Sequence, residues 1–138
     1  MNRIELVFNA SKDNISIMRN VIGVILLPYN PTISFIDEIK TITSEAITNS
    51  IVHGYLDVSD NLIKIIVELE EDEVTIHYID NGVGIEDVDQ ARKPLFSTKK
   101  EDERTGLGFT IMEIFSDSME VISRVNEGCH VIIHKKIA

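Results

Sequence analysis

Cysteine is nearly missing from this 138-residue chain. With Cys129 alone, no internal disulfide and no cysteine-only metal cluster can form. Basic charge is also short, with 13 Lys and Arg against 23 Asp and Glu and a formal charge of −10. That balance argues against sequence-independent nucleic-acid binding, which needs a basic face, and against docking on anionic membranes. It permits a basic protein partner, or a ligand whose charge is handled by a metal and a few local cations. No apolar run is long enough to span a bilayer, since "VIGVILLPY" at 21–29 stops well short. "MNRIELVFNA" shows no signal-peptide pattern, so a soluble, cytoplasmic protein is expected. No repeat and no Pro-, Gly- or Ser-rich linker divides the chain. Its length and its 43% apolar content fit one domain over residues 1–138.

The apolar pattern predicts the elements. Residues 3–8 alternate with Ile4, Leu6 and Phe8 on one side, which predicts a strand. Ser11 is the expected N-cap of a helix carrying Ile15, Met18, Ile22 and Ile25, which "PYNP" at 28–31 stops. A second helix is expected over 34–53, with Ile36, Ile39, Thr43, Ala46, Ile47 and Ser50 near one stripe and Gly54 ending it. The period then changes to two. "LIKIIVEL" and "VTIHYID" predict one hairpin, and "MEVISRV" with "HVIIHKK" a closing one. A helix over 106–115 lies between them. Strands joined by tight turns must be antiparallel, and helices covering one face make an α+β, two-layer sandwich with a mainly antiparallel sheet. Residues 81–105 read as a loop too long to be a mere connector, and such loops are usually lids or binding loops.

Three polar groupings interrupt this apolar frame. Glu45, Asn49 and His53 recur every four residues and share one helix face. A solvated face would explain them. So would chemistry: an amide oxygen can serve Mg²⁺ when phosphates supply the other ligands, and a carboxylate one turn away can take a proton. The second grouping is "DNGVG", Asp80 to Gly84, directly after a strand. It has the composition of a turn, yet its carboxylate could also accept a hydrogen bond from an exocyclic amino group such as that of adenine. The third is "RTGLGFT" at 104–110, where a loop becomes a helix. It reads either as a hinge or as a helix start whose backbone N–H groups hold phosphate, helped by Arg104 and Lys99. It is neither a Walker A loop nor a dinucleotide-binding fingerprint. Each grouping is weak alone; together and in this order they cover metal, adenine and phosphate. His53 fits a structural role at the helix end better than a ligand role. Cys129 reads as a strand residue, and His77, His130 and His134 lack metal-ligand spacing.

In "EAITN", "DNGVG" and "GLG" the chain resembles the GHKL, or Bergerat-fold, ATPases. Within that group, "EIKTITSEAITNSIVHGY", "ARKPLFSTK" and "ERTGLGFTIME" resemble the anti-sigma F factors, serine kinases of sporulating bacteria. The resemblance runs from about Ile4 to Lys136. It implies that Glu45 is the catalytic base toward a serine hydroxyl and that Asn49 is the Mg²⁺ ligand. Asp80 would read adenine, with Gly82 and Gly84 shaping that wall. Thr98 and Lys99 would lie in an ATP lid over about 86–105, whose end, Arg104, Thr105, Gly106 and Gly108, would wrap the phosphates. Arg19 would contact protein partners. The resemblance further implies a homodimer that binds a sporulation sigma factor and phosphorylates an anti-anti-sigma protein. A stress-response kinase of the same fold, or a non-catalytic module that binds ATP only to switch its grip on a sigma factor, are the competing expectations.

Overall fold

The strands β1 (Asn2–Asn9), β2 (Leu62–Leu69), β3 (Glu73–Asp80), β4 (Ser118–Ser123) and β5 (Cys129–Lys136) form one sheet in a computed structural model of the chain. The structure describes residues 1–94 and 108–138. The sheet order is β1-β2-β3-β5-β4, and every neighbouring pair is antiparallel. The helices are α1 (Asp13–Leu26), α2 (Ile33–Asn49), a short α3 (Val88–Ala91) and α4 (Gly108–Phe115). This is the expected α+β architecture. Among the described residues, no helix is long and apolar enough to cross a membrane.

Alternation along the strands decides which face the helices cover. On β2, Ile63, Ile65, Val67 and Leu69 are buried; on β3, Val74, Ile76 and Tyr78 are. These meet Ile22 and Leu26 of α1, Phe35, Ile39, Ile42 and Ile47 of α2, and Met112 of α4. Burying one such aliphatic side chain contributes about 1.5–3 kcal/mol, so this face carries the stability of the sandwich. The same alternation fixes the site. Asp80 is the last residue of β3 and falls on the buried side, facing the helices.

Some boundaries differ from expectation. Lys12, not Ser11, occupies the N-cap of α1 and makes no side-chain cap, while the Ser11 hydroxyl accepts a long 3.4 Å bond from the Asp13 N–H. α2 is capped by Thr32, whose side chain accepts from the Phe35 N–H at 3.1 Å. Its buried stripe takes in Phe35 and Ile42, whereas Ile36 is only half-buried. The α-helical part of α2 ends at Asn49, before the expected His53. Ser50–Gly54 forms a π turn instead, with the Tyr55 N–H reaching back to the Ser50 carbonyl at 2.8 Å. The expected loop after β3 contains α3, which Asp87 caps by accepting from the Gln90 N–H at 3.1 Å.

Candidate nucleotide and phosphoryl-transfer site

The site is assembled where the end of α2 crosses the end of β3. Two buried hydroxyl contacts set that crossing. Thr43 and Tyr78 share a hydrogen bond of 2.8 Å, and the Ser50 hydroxyl donates to Asp80 Oδ2 at 2.7 Å. Burial holds the Tyr78 phenol far above the usual range, so it stays neutral. The π turn has a visible purpose here, as such turns often do at functional sites. It brings both Ser50 and Gly54 against Asp80, and a β-carbon on Gly54 would stand 3.1 Å from Asp80 Oδ2.

Asp80 is 5% exposed. Burial raises its carboxyl above the usual range, while Ser50 and the backbone N–H groups of Gly82 and Cys129 pull it back by hydrogen bonding. A buried acid with three donors is held in one orientation and can present its remaining acceptor capacity to a ligand amino group. The loop after it is tied down on both sides. The Val83 N–H donates to the Gly54 carbonyl at 2.9 Å, and Gly82 lies so close to that carbonyl that a side chain there would collide with it. Gly84 adopts φ +77 against the Arg124 carbonyl, a conformation and an approach that only glycine tolerates. Tyr55 locks the corner, accepting from the Asn81 N–H at 2.7 Å and donating to the Leu62 carbonyl at 2.6 Å.

The second half of the site faces α4. Glu45 and Asn49, one turn apart and both half-buried, converge on the first residue of that helix. A β-carbon on Gly108 would stand 3.1 Å from the Asn49 amide atoms and 3.3 Å from Glu45 Oε2. The absence of that carbon lets α4 start directly against the carboxylate–amide pair. Arg19 of α1 donates to the Ser44 hydroxyl at 3.0 Å, linking α1 to the residue beside Glu45. His53 is half-buried within the π turn. Cys129 pairs across the sheet with Asp80. Burial and the Asp80 charge push its thiol up to about 12, so it is protonated and unreactive at neutral pH. Thr98, Lys99, Arg104, Thr105 and Gly106 lie outside the described residues.

The sequence reading missed Thr43 and Ser50 as members of the site. It placed both on the buried stripe of α2, and that placement was itself the available signal. A hydroxyl on an apolar stripe must find a buried partner, and a strand ending in Tyr78 and Asp80 offers two.

Comparison with known proteins matches the chain over nearly its whole length. The histidine kinase-like ATPase domain family matches residues 8–135. The anti-sigma F factor of Clostridium beijerinckii is 42% identical over 98% of this chain and 94% of its own length. The chain belongs to the anti-sigma F factor family. The anti-sigma F factor of Geobacillus kaustophilus is 44% identical over 99% of this chain and 94% of its own length. Among solved structures, one of the RsbU and RsbW domains of a Mycobacterium tuberculosis protein superposes with a TM-score of 0.70. It covers 99% of this chain and 32% of that one at 16% identity, so it speaks for the fold alone. The histidine kinase domain of a blue-light-activated kinase from Erythrobacter litoralis gives 0.54 over 75% of this chain and 45% of its own, at 18% identity.

Proposed function

We propose that this chain is a cytoplasmic, ATP-dependent protein serine kinase and anti-sigma factor. In this reading it binds and restrains a sporulation sigma factor, phosphorylates an anti-anti-sigma protein on serine, and works as a homodimer. The observation that carries the catalytic part is the convergence of Glu45 and Asn49 on Gly108, within one helical crossing of the buried Asp80. The names of the relatives supply the sigma-factor part.

Phosphoryl transfer needs in-line alignment and neutralisation of spreading charge more than covalent work by the protein. Asp80 accepts the adenine amino group and fixes the purine end of ATP. The acceptor serine oxygen bonds to the γ-phosphorus as the bond to the β,γ-bridging oxygen breaks. The serine proton passes to the Glu45 carboxylate, and ADP leaves with the bridging oxygen. Among the described residues no group of three or more His, Cys, Asp or Glu could hold a metal. Mg²⁺ needs only one or two protein ligands when phosphates and waters complete its shell. Asn49 would hold it, and it would supply charge neutralisation at the phosphates. By the resemblance, Thr98 and Lys99 would belong to an ATP lid over about 86–105, and Arg104, Thr105, Gly106 and Gly108 would serve the phosphates. Arg19, through Ser44, ties the partner-facing helix to the catalytic one.

The test is incubation with labelled ATP, Mg²⁺ and a candidate anti-anti-sigma protein. Phosphoserine on that protein is the expected result. Tight ATP binding with no transfer to any such protein would replace this reading by the non-catalytic switch. A pull-down with candidate sigma factors separates the sporulation role from a stress-response one.

A further inference from the structure

Lys135 stands on the same face of β5 as the buried Val131 and Ile133, and it pairs across the sheet with the buried Val74. Its side chain therefore enters the layer between sheet and helices, where it is 13% exposed. Burying a cation is costly unless it is paired and hydrogen-bonded. This one is both. Lys135 Nζ donates to Glu38 Oε2 of α2 at 2.8 Å and to the carbonyl of Phe115, the last residue of α4, at 2.5 Å. It also lies over the Phe35 ring, 5.6 Å from the centroid. One ammonium joins β5 to the two helices that meet at Glu45, Asn49 and Gly108.

Those helices run antiparallel. The first residue of α4 meets Glu45 and Asn49, and its last is tied through Lys135 to Glu38. Glu38, Ile42, Glu45 and Asn49 follow one another at steps of four, three and four residues, which keeps them on one stripe of α2. Glu38 precedes Glu45 by two turns, or ~10 Å along the helix. Apolar packing fixes α4 on this stripe only loosely. Its one fully buried side chain is Met112, and an unbranched thioether repacks easily. Beyond the helix, the Asp117 N–H donates to the His134 carbonyl at 2.8 Å, and Asp117 Oδ2 accepts from the Lys136 N–H at 2.6 Å. Arg92 reaches Glu113 of α4 at 3.1 Å. These bonds hold α4 to β5 and α3, whereas Lys135 supplies the polar tie to α2.

We propose that Lys135 is a positioning residue for phosphoryl transfer: through Glu38 and the Phe115 carbonyl it sets where α4 lies along α2, and so how Gly108 meets Glu45 and Asn49. The inference rests on the kinase reading above and adds a residue to it. A hydrophobic side chain of similar length would fill the same space without the cost of desolvating a charge. It would lack direction. Two hydrogen bonds from one ammonium fix the end of α4 relative to α2, while apolar contacts let the helices slide. The eight residues of α4 form a short rod, so a shift at Phe115 is carried to Gly108. A misplacement of about 1 Å among reacting groups can slow a reaction up to about 100-fold. The adenine end is held separately, by Ser50 and the backbone N–H groups of Gly82 and Cys129 around Asp80.

Lys135→Met tests this, because methionine keeps the length and the apolar stem and removes both donated bonds. With labelled ATP, Mg²⁺ and an acceptor protein that the wild type phosphorylates, kcat should fall about 10–100-fold while KM for ATP moves less than about threefold. Both are measured at a temperature where circular dichroism shows the variant folded. Glu38→Gln, at a more exposed position, should give the same split more weakly and serves should Lys135→Met misfold. Amide NMR of the free chain gives a reading that needs no acceptor. Lys135→Met should move the resonances of the Gly108 N–H and the Asn49 side-chain amide and leave those of Gly54 and Gly82 in place. A kcat within about twofold of wild type in the folded variant overturns the proposal and leaves Lys135 a structural ion pair. Unmoved Gly108 and Asn49 resonances overturn it too, whatever the rate. No transfer by the wild type overturns the kinase reading instead, and the resonances then decide the placement of α4 by themselves.

Discussion

The proposed adenine end and the proposed phosphate end of the site are built on opposite plans. Asp80 is buried at a strand end, receives three hydrogen bonds, and stands among residues locked to one another by Ser50, Tyr55 and the crossed backbones of Gly54 and Gly82. Glu45 and Asn49 are half-buried on a helix, facing the start of α4 at Gly108. The contrast suits what the proposed function asks of each end. Reading a flat base rewards a fixed, desolvated acceptor. Handing phosphate to another protein needs groups that an incoming serine can reach.

Substitutions can break this contrast from either side. The largest expected effect is at Glu45. Glu45→Ala should slow phosphate transfer by roughly 10²–10⁴, the scale of general-base catalysis, while ATP affinity stays within about threefold. Labelled transfer and nucleotide titration read the two separately, and an unchanged transfer rate would remove Glu45 as the base. Asp80→Asn should do the reverse. Replacing a charged acceptor costs about 1.5–3 kcal/mol, or roughly 10–150-fold in ATP affinity.

That same variant should not lower the melting temperature. The folded-state pKa of Asp80 is raised, so between the unfolded and folded pKa values the folded chain holds a proton that the unfolded chain lacks. Stability therefore falls as pH rises through the folded pKa, and ionised Asp80 is a cost at neutral pH that Asn removes. Nucleotide binding runs the other way, weakening as pH falls and the acceptor is protonated. A melting temperature that drops sharply in Asp80→Asn would mean that the acid is structural.

Smaller effects sharpen the comparison. Thr43→Val leaves the Tyr78 hydroxyl buried without its partner and should cost about 1–3 kcal/mol in a denaturant titration, with both halves of the site losing alignment. Ser50→Ala is milder. Two backbone donors still hold Asp80, but losing the hydroxyl should move the acid limb of ATP binding to higher pH. An unmoved limb would show that Ser50 only fills space.

Much of this was legible beforehand because it depends on short-range patterns. The period-two runs on either side of residues 70–73 and 124–129 could only form hairpins, and five antiparallel strands resulted. Glu45 and Asn49 share a face through helix geometry alone. The π turn was not legible, because nothing local distinguishes "SIVHG" from one more α-helical turn. Its reason lies in Asp80, thirty residues away from Ser50. Likewise α3 hid in a charged stretch because only four residues and one Asp87 cap define it.

By itself, then, the sequence determined the alternation that turns Asp80 inward, the helix face that unites Glu45 with Asn49, and the glycines that let backbones meet. Local sterics and periodicity suffice for those. The tertiary structure alone decided that Ser50 and Gly54 close on Asp80 and that Gly108 meets Glu45 and Asn49. It alone decided that Lys135 joins Glu38 to the end of α4. Each of these depends on which surfaces pack together, and packing is settled by the burial of the whole core rather than by any single segment.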